Sequence, residues 1–297
     1  MTNKIELLKC EVRIQRLNYT VGNCNIYMLR DDLIPFGGGG NKVRLFEYIA
    51  LDIIKSKAKK IITFGSIHSN HIRVAAIVAT YLGIGCDLII LHDEDNFDKD
   101  FLTPNMKMIR LCKNVKIVHC KTNEAHEFID EYLKKQRNYY WIPGGGHTAN
   151  AIHGYSDVAE YILLQKDIAF DAIFLPCGTG TTMAGMLYGM KKKIPVYGIT
   201  VARSAERCEE AIKELLDING YILKEDEIKV LPCNIRYGEN TTEVEETISR
   251  LLHSDGIYLD PIYNAKSFLE TVRYIEGQRS WKNVLYINTG GQPNIFA

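Results

Sequence analysis

Apolar residues along this 297-residue chain form short continuous runs that alternate with longer stretches of helical periodicity. A short apolar run between polar residues is typical of a buried strand, and apolar residues three and four positions apart are typical of a helix. The runs predict strands at 60–64, 86–91, 115–118, 139–142, 172–175, 196–199, 257–259 and 284–287. The periodic stretches predict helices after Lys42, after the turn at 65–71, and at 103–113, 122–135, 148–165, 183–192, 204–217, 242–253 and 264–277. This alternation predicts an α/β fold built on parallel sheets.

Two of the predicted helices carry N-terminal signals in the sequence. Thr103 and Pro104 fit an N-cap followed by a first helical position. Thr242 and Glu245 have the spacing of a capping box, in which each side chain bonds a backbone N–H of the other residue. These signals predict where the two helices begin.

A run of four glycines at 37–40 precedes Lys42. Short β-prone runs at 10–14 and 24–30, separated by Gly22, predict a hairpin or an extended segment that leads into it. Consecutive glycines let the backbone approach a ligand closely, at an entropic cost. Lys42 lies at the start of the next helix, where a lysine could anchor an aldehyde cofactor. Glycine runs also mark ordinary turns, so this stretch alone leaves both readings open.

The composition narrows the class of protein. The chain is 46% hydrophobic and 24% charged, and it is long enough for two lobes with cores of their own. Lys plus Arg and Asp plus Glu both number 36, so the totals encode no broad attraction to nucleic acid or to anionic membranes. No apolar run approaches the roughly 18 residues of a membrane helix, and no apolar signal segment begins the chain. We expect a soluble, cytoplasmic enzyme that acts on a small molecule.

The cysteines and histidines point to neither disulfides nor a metal. The eight cysteines include no C-x-x-C pair and mostly lie in apolar surroundings, which favours reduced, buried thiols. Cys177 is the exception, because it lies in a polar turn. His68 and His71 have no companion of metal-ligand spacing, so no metal site is expected.

A turn of small residues at 176–182 lies between a predicted strand and a predicted helix. Backbone N–H groups at a helix N-terminus, beside glycines and threonine hydroxyls, form a cradle for a phosphate. A dinucleotide fingerprint would need glycine where Met183 stands, and the chain contains no G-K-[ST] of a P-loop. A phosphate site is therefore predicted, with a purely structural turn as the alternative.

Three further polar turns follow predicted strands. Ser69-Asn70-His71 offers a hydroxyl, an amide and an imidazole for a carboxylate or a phenolic oxygen, although Ser69 or Asn70 could serve as a simple N-cap. Tyr263, in the turn 260–266, could donate a proton or only pack its ring. The glycine turn at 288–291 follows the last strand. Ligand sites in open α/β sheets lie where strands end, so these turns are expected to meet.

Taken together, these motifs resemble the 1-aminocyclopropane-1-carboxylate deaminase and D-cysteine desulfhydrase family over nearly the whole chain. The motifs are Gly39-Gly40-Asn41-Lys42-Val43-Arg44, Ser69-Asn70-His71-Ile72-Arg73, Gly178-Thr179-Gly180, Leu259-Asp260-Pro261-Ile262-Tyr263 and Thr289-Gly290-Gly291. The resemblance implies a pyridoxal-phosphate enzyme of the tryptophan synthase β-like fold (fold type II), with the cofactor between two open parallel-sheet α/β lobes. It implies a large domain of residues 1–44 and 156–297, a small domain of residues 45–155, and a homodimer.

The resemblance also implies roles for individual residues. Lys42 would be the Schiff-base lysine, Asn70 would contact the phenolic oxygen of the cofactor, and Ser69 and His71 would lie near the substrate carboxylate. Tyr263 would lie beside the substrate, so that the catalytic residues are Lys42, Ser69 and Tyr263. The remaining cofactor-binding residues would be Gly178, Thr179, Gly180, Thr181, Thr182, Asn264 and Thr289.

Two positions depart from the family pattern, and a third distinguishes its two types. Asn264 stands where the family has glutamate or threonine next to the pyridine nitrogen, and a neutral amide cannot stabilise a ring proton as a carboxylate can. Thr181 replaces a usual glycine of the phosphate loop. His71 matches the desulfhydrase form Ser-Asn-His. We therefore expect desulfhydrase-like elimination rather than opening of a cyclopropane ring.

The predicted mechanism begins with Lys42, which removes the α-proton of a small amino acid while the cofactor takes up the charge. A β-leaving group then departs, and hydrolysis gives an α-keto acid and ammonia. The alternatives are a β-replacement synthase or racemase of the same fold, and a non-catalytic relative that binds a phosphate ligand.

Overall fold

The computed structural model describes residues 4–7, 12–93, 97–98, 101–224 and 227–296. Strands within these ranges are β1 Ile14–Val21, β2 Cys24–Arg30, β3 Lys60–Gly65, β4 Gly85–His92, β5 Val115–Lys121, β6 Tyr139–Ile142, β7 Ala172–Cys177, β8 Val196–Thr200, β9 Lys229–Leu231 and β10 Asn283–Asn288. The α-helices are α1 Asn41–Ser56, α2 Asn70–Leu82, α3 Pro104–Arg110, α4 Ala125–Lys134, α5 His153–Leu164, α6 Thr181–Met190, α7 Ala205–Ile218, α8 Thr242–Asp255 and α9 Asn264–Glu276. The expected alternation of strands and helices is confirmed.

The larger sheet has six strands in the order β1-β2-β10-β7-β8-β9. All neighbours are parallel except β1 and β2, which form the hairpin expected before the glycine run. Gly22 makes the turn between them with φ 56°. Because β10 pairs with both β2 and β7, the last strand of the chain lies in the middle of the sheet.

The smaller sheet has four parallel strands in the order β5-β4-β3-β6. Its strands lie between residues 60 and 142, with α2 packed against β3 and β4. Every strand of this sheet therefore falls within the predicted small domain at 45–155, and every strand of the larger sheet falls outside it. The domain boundaries themselves stay a prediction.

Several predicted element bounds are wrong or incomplete. The first strand begins at Ile14, while Cys10 and Glu11 of its predicted run lie outside the described residues. Residues 257–259 form no strand, and the short strand β9 was not predicted. The N-cap of α8 is Thr241, whose hydroxyl accepts from Val244 N at 3.4 Å, so the capping box proposed one residue later is wrong. Short-range signals locate a helix end only to within a residue or two.

Other differences concern helix ends. The helix that begins at Pro104 ends at Arg110 rather than Lys113. The predicted N-cap holds, because the hydroxyl of Thr103 accepts from Met106 N at 3.2 Å. The helix after β7 begins at Thr181, two residues earlier than expected. Thr181 therefore belongs to the first helical turn rather than to the loop.

A buried ion pair ties α1 to the segment before the glycine run. The Nε and Nη2 atoms of Arg44 donate to both carboxylate oxygens of Asp31 at 2.6–3.0 Å. Tyr155 of α5 donates its hydroxyl to the same carboxylate. The backbone oxygen of Asp31 also accepts from Gly40 N at 2.9 Å. This cluster fixes the start of α1, and therefore Lys42, against the larger sheet.

The described helices include none that is long and apolar enough to span a bilayer.

We expect Arg44→Met to destabilise the protein strongly, because it leaves the Asp31 carboxylate buried with the Tyr155 hydroxyl as its other partner. Removing one member of a buried ion pair typically costs about 3–5 kcal/mol. Urea unfolding measures the loss, and Arg250→Met is the matched control. Arg250 pairs with Glu246 at 3.6 Å on the exposed face of α8, where a pair contributes at most about 1 kcal/mol. Equal losses in the two variants would contradict the structural role of Arg44.

Candidate active site

The loops that follow eight strands line a single cavity of about 360 Å³. They follow β3, β4, β5 and β6 of the smaller sheet and β7, β8, β9 and β10 of the larger one. Parallel strands place their carboxyl ends at one edge of a sheet, so the polar turns predicted after separate strands meet here. The volume lies in the range of small-molecule sites.

Two glycine turns interlock at the base of the cavity. Gly37, Gly38, Gly39 and Gly40 all have positive φ, as do Gly290 and Gly291. A Cβ atom on Gly290 would lie 2.4 Å from the Cα of Gly40, and one on Gly40 would lie 2.7 Å from the oxygen of Thr289. Asn41 N donates to the same oxygen at 2.9 Å. The first turn of α1 is therefore joined directly to the end of β10.

Arg73 of α2 holds the glycine run from the other side. It is fully buried, and its guanidinium donates to the backbone oxygens of Gly37 and Gly39. Burial lowers the pKa of Arg73 to about 10. Arg73 therefore joins α2, which packs on the smaller sheet, to the glycine run before α1.

Lys42 extends from the first turn of α1 into the cavity, and its amine donates to the oxygen of Gly145 at 2.8 Å. Burial lowers the pKa of Lys42 to about 8, with a further lowering from the nearby positive charge of Arg203. A substantial fraction of this amine is neutral near physiological pH, as nucleophilic attack on an aldehyde and acceptance of a proton both require. The structure places Lys42 in the cavity, and its role as the anchor of a cofactor stays a prediction.

The turn after β7 leads into the N-terminus of α6, which lies at the cavity wall. Gly180 is the N-cap with φ 82°, and no side chain caps the helix, so the first N–H groups are left without a capping side chain. A Cβ on Gly180 would lie 2.8 Å from Ile212, whereas one on Gly178 would meet nothing within 4 Å. Packing thus explains the glycine at 180. The open space at Gly178 suits a phosphate held against the backbone.

The threonines of this turn lie in the same wall of the cavity. Thr179, Thr181 and Thr182 all line it, and Thr181 and Thr182 are buried. Asn41 donates to the hydroxyl of Thr182 at 2.9 Å, which links the residue before Lys42 to the cradle. The cradle and the lysine are therefore held in fixed relation.

Arg203, which the sequence reading did not single out, lines the cavity in the loop after β8. Its charge lowers the pKa of Lys42, which lines the same cavity. An exposed arginine near a helix N-terminus adds positive charge where an anion would bind. The position after a strand end is the one signal in the sequence that could have identified it.

Ser69 and Asn70 begin α2 at the opposite wall. Ser69 occupies the N-cap, but its side chain makes no capping hydrogen bond, so the simple N-cap alternative does not account for its hydroxyl. The Oδ1 atom of Asn70 accepts from Arg73 at 3.2 Å and from Asn105 at 3.3 Å. Because its oxygen end is occupied, the Nδ2 end of the Asn70 amide is the donor left to face the cavity, which Asn70 lines.

His71 is buried, and its Nε2 atom lies 2.7 Å from the hydroxyl of Thr63 on β3. Burial and the nearby charge of Lys42 lower the pKa of His71 to about 3. The imidazole is therefore neutral, and it cannot supply a positive charge to a substrate carboxylate.

Tyr263 lines the cavity within a chain of three hydroxyl groups. Its hydroxyl lies 3.0 Å from that of Tyr237, which lies 3.1 Å from the hydroxyl of Ser66. Burial, followed by the neighbouring Tyr237, raises the pKa of Tyr263 well above its ordinary value. Tyr263 is thus a protonated hydroxyl at working pH. The sequence reading missed Tyr237 and Ser66, since an isolated tyrosine or serine in a loop carries no pattern.

Asn264 lies behind the cavity wall, which corrects the expectation that it contacts a cofactor ring directly. Its Nδ2 atom donates to Asp260 and to the oxygen of Gly290, both at 2.6 Å. Its Oδ1 atom accepts from Thr289 N at 2.9 Å. The side chain that lines the cavity at this point is Thr289. Asn264 therefore positions Thr289.

Cys177 ends β7 at the cavity wall, with Cys208 of α7 beside it. The hydrogen bond that the Cys177 thiol donates to Cys208, together with burial, raises the pKa of Cys177 well above its ordinary value. The seven cysteines within the described ranges are all free thiols, as the sequence predicted.

Comparisons with known proteins point to one family. A family model described as pyridoxal-phosphate dependent enzyme matches residues 10–290. A Pyrococcus horikoshii protein provisionally named 1-aminocyclopropane-1-carboxylate deaminase is 30% identical, over 99% of this chain and 93% of its own. A D-cysteine desulfhydrase of Yersinia pestis is 29% identical, over 96% and 92%. A crystal structure of an ACC deaminase homologue superposes with a TM-score of 0.86 at 29% identity, over 99% and 93%.

We expect the amine of Lys42 to titrate near pH 8 in the ligand-free chain, because burial disfavours its charged form. Reductive methylation with ¹³C-formaldehyde followed by NMR measures the midpoint, and Lys42→Arg assigns the signal. The chain unfolded in urea gives the reference, because a lysine in an unfolded chain has its ordinary pKa of about 10.4. A Lys42 midpoint equal to that of the unfolded chain would contradict the proposed desolvation.

Proposed function

This chain belongs to the family of pyridoxal-phosphate dependent enzymes, and from that premise we propose that it is a lyase acting on a small amino acid. The reaction is α,β-elimination with deamination, giving an α-keto acid and ammonia, and D-cysteine is the favoured substrate. The observation that carries the proposal is the buried Lys42 amine with its lowered pKa, in one cavity with the uncapped N-terminus of α6.

The described residues fit pyridoxal phosphate at each of its polar groups. The phosphate would bind the N–H groups at the start of α6, beside the open face of Gly178 and the charge of Arg203. The Asn70 amide presents a donor for the phenolic oxygen. The hydroxyl of Thr289 would contact the pyridine nitrogen, and Lys42 would hold the aldehyde carbon.

When bound, pyridoxal phosphate is an electron sink that accepts the electron pair left at the α-carbon of the amino acid. Lys42 is the base that removes the α-proton, because its lowered pKa leaves part of the amine neutral and the side chain extends into the cavity. The hydrogen bond to Gly145 limits the positions that the amine can take. Proton transfer by a positioned base of this kind is worth about 10²–10⁴-fold in rate.

The substrate carboxylate would bind at the start of α2. The hydroxyl of Ser69 is not used as a cap, and the free N–H groups of the first helical turn favour negative charge. Tyr263 would donate a proton to the leaving group, and Tyr237 would hold its hydroxyl in place. The raised pKa of Tyr263 keeps that proton available throughout the neutral range.

Two features favour elimination from D-cysteine over the opening of a cyclopropane ring. The turn Ser69-Asn70-His71 has the desulfhydrase form, and a desulfhydrase is among the relatives. In addition, Thr289, which is held by the neutral Asn264, would take the place of a carboxylate at the pyridine nitrogen. A neutral partner does not stabilise a charged ring nitrogen, which suits a reaction with a good leaving group.

We expect Lys42→Ala to lose covalent attachment of the cofactor and all turnover. Borohydride treatment followed by mass spectrometry locates the attachment, and Lys55 is the matched control residue because it lies at the other end of α1. Release of keto acid and sulfide from D-cysteine measures the activity, with β-chloro-D-alanine, L-serine and 1-aminocyclopropane-1-carboxylate in parallel. Turnover of the cyclopropane substrate alone would reverse the preference stated above. Absence of keto acid from all four would favour a synthase or a racemase.

We expect Tyr263→Phe to lower kcat for D-cysteine by roughly 10²-fold, because the substitution removes the proton donor for the leaving thiolate. The loss should shrink with β-chloro-D-alanine, whose chloride leaves without protonation. Tyr258→Phe is the control, since Tyr258 is 49% exposed and lies outside the cavity. Equal losses with both substrates would show that Tyr263 acts only by packing.

A further inference from the structure

The hydrogen bonds of Thr63 determine which nitrogen of His71 carries the hydrogen. Thr63 is fully buried, and its hydroxyl donates to the backbone oxygen of Ile142 at 2.7 Å. A hydroxyl has only one hydrogen to donate, so towards His71 it can act only as an acceptor. The Nε2 atom of His71, 2.7 Å away, must therefore be the protonated nitrogen. The neutral ring then carries a lone pair on Nδ1.

That lone pair is buried and has no hydrogen-bond partner. Phe46 stacks on the ring with centroids 5.6 Å apart, and this contact fixes the plane of the imidazole. A Cβ on Gly146 would lie 3.7 Å from the Nδ1 atom, so the lone pair points towards the turn after β6. A buried acceptor without a partner is costly, and a group that persists in this state usually has a function.

Lys42 reaches the same turn. Its amine donates to the oxygen of Gly145, the residue next to Gly146, and its charge is felt at His71. We propose that His71 is a positioning residue, held by Thr63 so that its Nδ1 atom accepts a hydrogen bond from the Lys42 ammonium group. This inference rests on the proposed role of Lys42 as the base.

The hydrogen bond from Lys42 to the Nδ1 atom of His71 would form when Lys42 has taken the α-proton of the substrate. The amine then becomes an ammonium group with three hydrogens, of which the oxygen of Gly145 accepts one. The Nδ1 atom of His71 accepts a second, and the third remains directed at the substrate. The proton stays on Lys42, because an imidazole with a pKa of about 3 does not take it. This role replaces the sequence-based expectation that His71 contacts the substrate carboxylate, which would need a donor.

The surroundings support an acceptor rather than a charged imidazole. Two positive groups act in this part of the site: the charge of Lys42 lowers the pKa of His71, and the charge of Arg203 lowers the pKa of Lys42. Two positive charges beside Lys42 would work against its protonation, so a neutral acceptor is the form of His71 that assists catalysis.

The first experiment measures the tautomer directly. Two-bond ¹H–¹⁵N NMR of the full chain with its cofactor bound, assigned with His71→Gln, separates the two ring nitrogens. We expect a protonated Nε2 atom and an unprotonated Nδ1 atom, with no titration of this ring between pH 5.5 and pH 9, well above its pKa of about 3. A protonated Nδ1 atom, or a ring that titrates in this range, overturns the proposal. This readout does not depend on activity.

The second experiment separates an acceptor from a packing residue. His71→Leu removes the acceptor, and His71→Gln supplies an amide oxygen in its place. We expect kcat to fall by roughly 10- to 100-fold in His71→Leu, as for a lost hydrogen bond to a charged group, with partial recovery in His71→Gln. The isotope effect for substrate deuterated at the α-carbon should rise in His71→Leu, because proton transfer becomes slower. Equal losses in both variants with an unchanged isotope effect would show that the ring only packs.

Substitutions of Thr63 test whether its hydroxyl determines the tautomer of His71. Thr63→Val has nearly the same shape but no hydroxyl, whereas Thr63→Ser keeps it. We expect Thr63→Val to reproduce the loss in kcat and the raised isotope effect, and Thr63→Ser to retain most of the wild-type rate. Full activity in Thr63→Val would overturn the proposal. A wild-type chain that carries no cofactor on Lys42 would instead contradict the proposed function, and the NMR result on His71 would still stand.

Discussion

The close contact between Gly40 and Gly290 is the constraint on which the rest of this structure depends. Backbones come this near only where neither residue has a Cβ, and a side chain on Gly290 would lie 2.4 Å from the Cα of Gly40. The contact joins the end of the central strand β10 to the first turn of α1. As a result Lys42 and Thr289, which are far apart in sequence, face the same cavity.

Around this contact, buried polar side chains bond to other groups of the protein rather than to solvent. Arg73 bonds the oxygens of the glycine run, and Arg44 pairs with Asp31 beneath it. Asn264 uses both ends of its amide to hold the turn of Thr289. These hydrogen bonds hold the neighbouring side chains in one orientation, and in this way the fold fixes the groups that react.

Burial by the surrounding protein also determines the protonation states of the groups inside the cavity. Burial lowers the pKa of Lys42 and of His71 and raises that of Tyr263, so at neutral pH the site contains a partly neutral amine, a neutral imidazole and a protonated phenol. A base and a proton donor therefore coexist at one pH. In water neither the amine nor the imidazole would remain in that form across the same range, which is the reason for a dry site.

The sequence by itself determined the elements that depend on local chemistry. Apolar runs and helical periodicity predicted nearly all strands and helices, because each pattern reflects which face of an element is buried. The prediction of a strand at 257–259 is wrong, because a short apolar run can be buried without pairing to another strand. The strand β9 was missed because it has only three residues. The glycine run, Lys42 and the turn after β7 were also found, since they carry signals within a few neighbouring residues.

Only the tertiary structure decided which of these residues face the ligand and in what chemical form. Asn264 was assigned to the cofactor from its position beside Tyr263, but the fold places it behind Thr289. Tyr237, Ser66 and Arg203 reach the cavity from separate loops, which no local pattern encodes. The pKa values of Lys42 and His71 depend on burial by distant segments. Contacts between residues far apart in sequence, and the exclusion of water that they bring, exist only once the chain has folded.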